Sequence, residues 1–357
     1  MLTLTVSDLR LWLACRRRWE LGSSARRGLS RIGDWGSGWG KRTLGTLVHS
    51  GLEAMALGCA PGESVWARAR TEIEDGAPAA AVEELAQRST LICWRYLEAW
   101  GGDSGWPGYE IVGAEVPWRC PTPGWPEAGS YLLAGTIDLI VRDSAGVLWI
   151  VDHKTYDVRP GESRLERLQY DLQFRCYDWA LSRMVGEDAV GGWCWDGIRQ
   201  AVPSAPRQLK SGALSRDLRS ADITKDSYLA EVIRLGLDPA DYADVFAKLH
   251  DRPDTFFDRR WYRASADLRA STGRLLEAAG KDIAATHGRA IDMPAPDSTC
   301  SWCGVRGLCD AMEHGDDWET LAHRHYQRRE YGTRLALAEN NVTTIRSVED
   351  LSHALSR

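Results

Sequence analysis

Two aspartates and a lysine define the chemistry open to this chain. Residues 147–151 (VLWIV) form an apolar, β-branched run that leads directly into Asp152, His153 and Lys154. On a strand, residues two apart project to the same side, so Asp152 and Lys154 share a face. A second such run, residues 131–141 (YLLAGTIDLIV), precedes it across Asp143-Ser144-Ala145-Gly146, a good turn sequence. The pair therefore reads as an antiparallel hairpin. With the turn centred on Ser144 to Gly146, opposing residues carry numbers summing to about 290, which sets Asp138 across from Asp152 or one residue off. Two carboxylates brought together at one end of a sheet repel unless a cation lies between them, and hard oxygen ligands suit Mg²⁺ or Mn²⁺. The Lys154 ammonium would orient an attacking water or stabilise charge building on phosphoryl oxygens. The bland alternative is that both aspartates end strands and Lys154 snorkels to water.

Sulfur is the second reactive theme. Cys300-x-x-Cys303-x5-Cys309 puts three thiolates in one short loop, and a tetrahedral site needs a fourth ligand, for which Cys15 is the natural candidate. Four thiolates alone do not distinguish an iron-sulfur cluster from zinc. The nine cysteines are odd in number and scattered, which does not fit a secreted disulfide framework. Cys59, Cys93, Cys120, Cys176 and Cys194 read as ordinary buried thiols.

These groups need elements to hold them. Ser7 is a candidate N-cap for a first helix carrying Cys15 and stopping at Gly22. A Gly/Ser/Trp/Arg-rich connector, residues 22–42, leads to a second helix with an apolar stripe of Leu44, Leu47, Val48, Gly51, Leu52 and Met55, and His49 lies beside that stripe. A third helix spans about residues 80–100 and ends at Gly101-Gly102, before a loop rich in Pro, Gly and Trp. After the hairpin come a helix over about 164–185, where Gln173 and Tyr177 are four apart and share a face, and a short strand near Trp193. Residues 204–294 read as mostly helical, with a long helix near 260–286.

With 357 residues and 44% hydrophobic content, the chain can bury a large core. No signal-like or spanning apolar run occurs, so the expected location is the cytoplasm and no membrane is involved. The net charge of -6 argues against a protein that coats nucleic acid, yet residues 1–42 hold nine Lys/Arg against three Asp/Glu. Arg16, Arg17, Arg18, Lys41 and Arg42 in this run could track phosphates; a solvated helix face would look the same.

The series Gly45-Thr46-Leu47-Val48-His49, Gly135-Thr136-Ile137-Asp138, Val151-Asp152-His153-Lys154-Thr155 and Gln173-Phe174-Arg175-Cys176-Tyr177 resembles, in order, the motifs of RecB-like PD-(D/E)XK nucleases. The resemblance implies that His49, Asp138, Asp152 and the carbonyl of His153 bind one or two divalent ions. It makes Lys154 the catalytic lysine, and Gln173 and Tyr177 a pair facing the active site and the DNA backbone. One cysteine ahead of the motifs and three behind is also similar to the AddB and CRISPR-associated RecB-type members. That resemblance implies a 4Fe-4S cluster on Cys15, Cys300, Cys303 and Cys309, stapling the N-terminal helix to the C-terminal segment.

The expected fold is α/β, a restriction-endonuclease-like core with a central mixed sheet flanked by helices, plus a large helical insertion and a cysteine cluster joining the two ends. The expected parts are a nuclease core over 1–203, a helical elaboration over 204–294, a cysteine segment over 295–312 and a helical tail over 313–357. The expected function is a metal-dependent deoxyribonuclease, an exonuclease on single strands or DNA ends, with Lys210 among its DNA contacts and a helicase or recombination protein as partner. The rival reading is a catalytically idle DNA-binding or helicase-partner subunit. Cleavage polarity, strand preference and oligomeric state have no signature in the sequence.

Overall fold

The computed structural model describes residues 2–32, 39–124, 127, 129–250, 255–286 and 293–328. The order of elements is β1 (Thr3–Thr5), α1 (Val6–Ala14), α2 (Arg16–Gly22), β2 (Leu29–Arg31), α3 (Trp39–Ala56), α4 (Pro61–Glu74), α5 (Ala79–Trp100), β3 (Glu110–Pro121), β4 (Leu132–Arg142) and β5 (Leu148–Tyr156). Then follow α6 (Glu162–Glu166), α7 (Leu172–Val185), β6 (Val190–Arg199), α8 (Lys225–Arg234), α9 (Ala243–His250), β7 (Phe257–Arg263), α10 (Ala266–Ala285), α11 (Arg306–His314), α12 (Trp318–His325) and β8 (Tyr326–Arg328).

A central mixed sheet flanked by helices organises the core, as expected. The β4–β5 hairpin keeps its anticipated register, from Leu139 opposite Val151 to Arg142 opposite Leu148. Strand β5 runs parallel to β6, and β7 adds an antiparallel edge. Strand β3 pairs with the whole length of β4, so the other edge of β4 must serve both β5 and β1. Pairing with β1 covers Leu132 to Ala134, and pairing with β5 begins only at Leu139. The sheet therefore forks beside Gly135 to Asp138. Backbone and side-chain polar groups at such a fork need partners from outside the ladder.

Helices cover both faces. On one, Leu9, Trp12, Phe174, Ala180, Leu181 and Leu276 from α1, α7 and α10 pack with Trp193 and Ile150 of the sheet. On the other, Leu44, Val48 and Met55 of α3 meet Ile92 and Tyr96 of α5 and Ile198 of β6. Covered from both sides, β6 is buried nearly throughout, which is what a strand with a parallel neighbour under helices requires. No described helix is long and apolar enough to cross a membrane.

Several expectations need correction. The stretch after Gly102 is not loop alone but contains β3; Gly113 and Pro117 interrupt its β pattern, and an edge strand tolerates such residues because one of its sides needs no partner. Residues 257–263 are not helical: they form the sheet-edge strand β7, and the helix begins only at Ala266. The first helix is capped by Thr5, not Ser7, through a reciprocal bond pair with Asp8. It breaks at Cys15, whose extended backbone separates α1 from α2. The helix expected over 164–185 is interrupted at Asp171, whose side chain caps α7 by accepting from the N–H of Gln173. Residues 329–357 of the expected C-terminal tail lie outside the described residues.

Candidate metal-dependent active site

The fork in the sheet is where the acidic groups meet. Asp138 stands on β4 just beyond the last β4–β5 pair, and its Oδ2 accepts the main-chain N–H of His153 at 2.9 Å. Helix α3 crosses this point and sets the His49 Nδ1 3.6 Å from the same carboxylate oxygen. The close approach depends on Gly45, one turn earlier, where a Cβ would stand 2.8 Å from the Thr155 hydroxyl. The His49 ring also lies against His153, with the two ring centroids 5.8 Å apart. Burial holds the His49 pKa below its usual value, against the pull of Asp138. A neutral imidazole is the form that can bind a metal.

Asp152 is fully buried. Its Oδ1 accepts from Gln173 Nε2 at 2.8 Å, and Lys154 Nζ lies 2.5 Å from its Oδ2. That buried Oδ2 has the Lys154 ammonium as its ion-pair partner and no other hydrogen bond, so a cation placed beside it would find an available lone pair. Burial pushes the Asp152 carboxyl up to about 6, with Lys154 opposing and Asp138 adding to the rise. For Lys154, burial disfavours the charge, but Asp152 and Asp138 outweigh it and raise its pKa. Gln173 Nε2 also reaches the Tyr177 hydroxyl at 3.2 Å. Tyr177 is buried and packs edge-on against Trp118.

Two residues that the sequence reading passed over belong here. Glu115, on β3, offers a carboxylate oxygen within 4.8 Å of ligand atoms of both His49 and Asp138. It went unseen because its strand did; its φ of 48° is the one positive value among described non-glycine residues. Arg10, on α1, is half-exposed, reaches Gln173 Oε1 at 3.4 Å and pairs with Asp171. An oxygen-rich set with one imidazole suits a hard divalent cation.

The family model that matches residues 3–310 of this chain is described as the PD-(D/E)XK nuclease superfamily. The chain belongs to that superfamily. Membership implies metal-dependent nuclease activity, in agreement with the donor set at the fork. No curated protein matches the chain. Among solved structures, this PD-(D/E)XK protein is similar to one titled "Crystal structure of SSO0001", at 13% identity over 87% of this chain and 86% of that one, with a TM-score of 0.33.

The four candidate cluster cysteines are all free and half-buried. Cys303 feels both Cys15 and Cys300: burial raises its thiol pKa first, and these two neighbours add to it against Arg18 and a backbone N–H. Cys15 Sγ accepts the Ala295 N–H at 3.4 Å, and Arg17 donates to Cys309 Sγ at 3.5 Å. Strands β2 and β8 pair nearby, tying the N-terminal segment to the C-terminal one. Of the five cysteines expected to be ordinary buried thiols, Cys93, Cys120, Cys176 and Cys194 are buried, but Cys59 is exposed.

The expected basic contacts divide. Arg17 is buried, bonded to Cys309 and Glu313, which corrects its assignment as a phosphate contact. Arg16 stacks on Trp12 and pairs with Asp282 at 2.6 Å. Arg18 lies over the exposed Trp302. Lys41 pairs with Asp157, just beyond β5, at 2.8 Å. Arg42 and Lys210 are exposed.

Proposed function

We propose that this protein is a deoxyribonuclease that hydrolyses phosphodiester bonds in single strands or at DNA ends, with a 4Fe-4S cluster as a structural staple. The observation that carries the reading is the convergence of His49, Asp138, Asp152 and Lys154 at the fork between β4 and β5. His49, Asp138, Asp152 and the His153 carbonyl would hold Mg²⁺ or Mn²⁺, with Glu115 beside them. When bound, the cation supplies Lewis-acid stabilisation of phosphoryl charge. Gln173 orients Asp152 through its amide. Lys154 carries a positive charge at the mouth of the site, where negative charge grows on the phosphate in the transition state. Half-exposed Arg10, with Lys41, Arg42, Arg16 and Arg18, supplies cations for the DNA backbone.

Cys15, Cys300, Cys303 and Cys309 would hold the cluster, with buried Arg17 balancing thiolate charge. The break of α1 at Cys15 supports this, since it frees that side chain from a helix face. Zinc is the alternative occupant, and iron and zinc content together with visible absorbance of anaerobically purified protein separates the two. Digestion of labelled linear, end-blocked and circular DNA with Mg²⁺ or Mn²⁺ tests the activity. The expected result is loss of linear substrate by the wild type, none by Asp152→Ala, and sparing of end-blocked and circular forms. Equal residual digestion by Asp152→Ala would leave the rival reading, an idle DNA-binding or helicase-partner subunit.

A further inference from the structure

Behind the site lies a second buried constellation that no step of the hydrolysis uses. Asp196, on β6, is fully buried, flanked in sequence by Trp193, Cys194, Trp195, Gly197 and Ile198. Its Oδ2 accepts from His153 Nδ1 at 2.7 Å and from the Tyr96 hydroxyl at 2.7 Å, and its Oδ1 accepts from Arg259 Nε at 3.0 Å. A carboxylate can only accept, so the His153 ring must carry its proton on Nδ1. Arg259, on β7, also donates to Gly105 O at 2.8 Å and lies between two indoles, 4.0 Å from the Trp100 ring and 3.5 Å from that of Trp106. Every member is therefore fixed by something outside the metal site: Tyr96 by α5, Asp196 by the sheet interior, and Arg259 by its aromatic slot.

The link to the site is the main chain of His153. Its N–H holds Asp138 Oδ2, and the His49 ring lies beside the residue, 5.8 Å between ring centroids. The main chain of one residue thus faces two of the groups proposed to surround the cation, on the side of β5 where the β4 ladder has ended and only the opposite side, towards β6, is still paired. The imidazole of His153 is anchored on the far side of the sheet from solvent by its bond to Asp196. We propose that Asp196, braced by Tyr96 and Arg259, is a positioning residue for the metal site, which it acts on by locking the His153 side chain and hence the direction of its N–H and carbonyl. A buried ion network gains little stability on balance, because desolvation offsets most of its attraction, whereas partners that orient metal-site groups are worth about 10- to 100-fold in metal affinity.

The inference rests on the metal-site reading but not on nuclease activity, and Mn²⁺ binding to the full chain measures it directly. A matched control is available in Asp178 and Arg269, an equally buried ion pair joining α7 to α10, with Arg269 Nε 2.9 Å from Asp178 Oδ2. Asp196→Asn and Tyr96→Phe are expected to weaken Mn²⁺ binding by roughly 10- to 100-fold, read by calorimetry or by the spectrum of the bound ion. Asp178→Asn is expected to lower the melting temperature while leaving Mn²⁺ affinity at the wild-type value. If Asp196→Asn fails to fold, Tyr96→Phe decides, since it removes one hydroxyl with its bonds to Asp196 and Arg259 but leaves the bonds of His153 and Arg259 to Asp196 in place. Melting temperatures that fall in both network variants with unchanged Mn²⁺ affinity would overturn the proposal and reduce the network to fold support. A wild type that binds Mn²⁺ but leaves DNA intact would sink the nuclease reading alone.

Discussion

At the scale of single residues, the site is a set of opposed pKa shifts. Burial raises the Asp152 carboxyl to about 6, so the metal-free fold binds this proton more tightly than the unfolded chain does. By linkage, that group's stability contribution is full below its ordinary pKa of about 3.9 and is lost as pH rises through about 6. A cation favours the ionised form and reverses the sign. The expected result is a Mn²⁺-induced rise in melting temperature that is large at pH 8 and shrinks as pH falls below 6, followed by differential scanning fluorimetry; a pH-independent rise would contradict it. The arginines near the N-terminus separate in the same way. Arg10 is half-exposed beside Gln173, whereas Arg17 is buried against Cys309. Arg10→Ala should reduce the slope of log affinity for an oligonucleotide against log salt by about one. Arg17→Ala should leave that slope unchanged and lower the melting temperature.

At the scale of elements, the decisive contact is α3 against β5. The first motif of the sequence ends in His49, but its glycine is what lets the helix approach, since a Cβ at Gly45 would meet Thr155 Oγ1 at 2.8 Å. That hydroxyl is itself held by Gln200 Nε2 at 3.0 Å, so it cannot swing away freely. Gly45→Ala is expected to cost about 1 to 3 kcal/mol through overpacking, and to weaken Mn²⁺ binding because His49 retreats from Asp138. Unfolding curves with and without Mn²⁺ check both; a variant that is more stable and binds Mn²⁺ normally would show that the approach is not tight. Strand β3 illustrates the opposite case, an element invisible in the sequence that nevertheless delivers a carboxylate.

At the scale of the molecule, the two ends of the described chain are brought together twice, by the β2–β8 pairing and by the convergence of Cys15 with the cysteine segment. A cross-link spanning nearly the whole chain removes about 5 to 6 kcal/mol of unfolded-state entropy in the chain-closure picture, and only slowly more with length. Cys15→Ser should therefore abolish bound iron or zinc and lower the unfolding free energy by an amount of that order, with the urea midpoint falling accordingly. Unchanged metal content and midpoint would mean that these four thiols hold nothing together.

The hairpin with its register and the shared face of Gln173 and Tyr177 were legible in the sequence, because strand and helix periods are local and turn residues mark register. Helix α3 was legible for the same reason, through its apolar stripe. Strands β3 and β7 were not, since an edge strand is defined by the neighbour it pairs with and tolerates Pro, Gly and charge. Glu115 and Arg10 were hidden because their roles come from approach across the fold. Asp196 had a faint signal, a lone charge within Trp193-Cys194-Trp195 and Gly197-Ile198; what it neutralises was decided only when α5, β5 and β7 closed around it. Local sequence determined which groups could bind a cation, and the forked sheet decided which of them meet, because non-local pairing alone sets the distances between them.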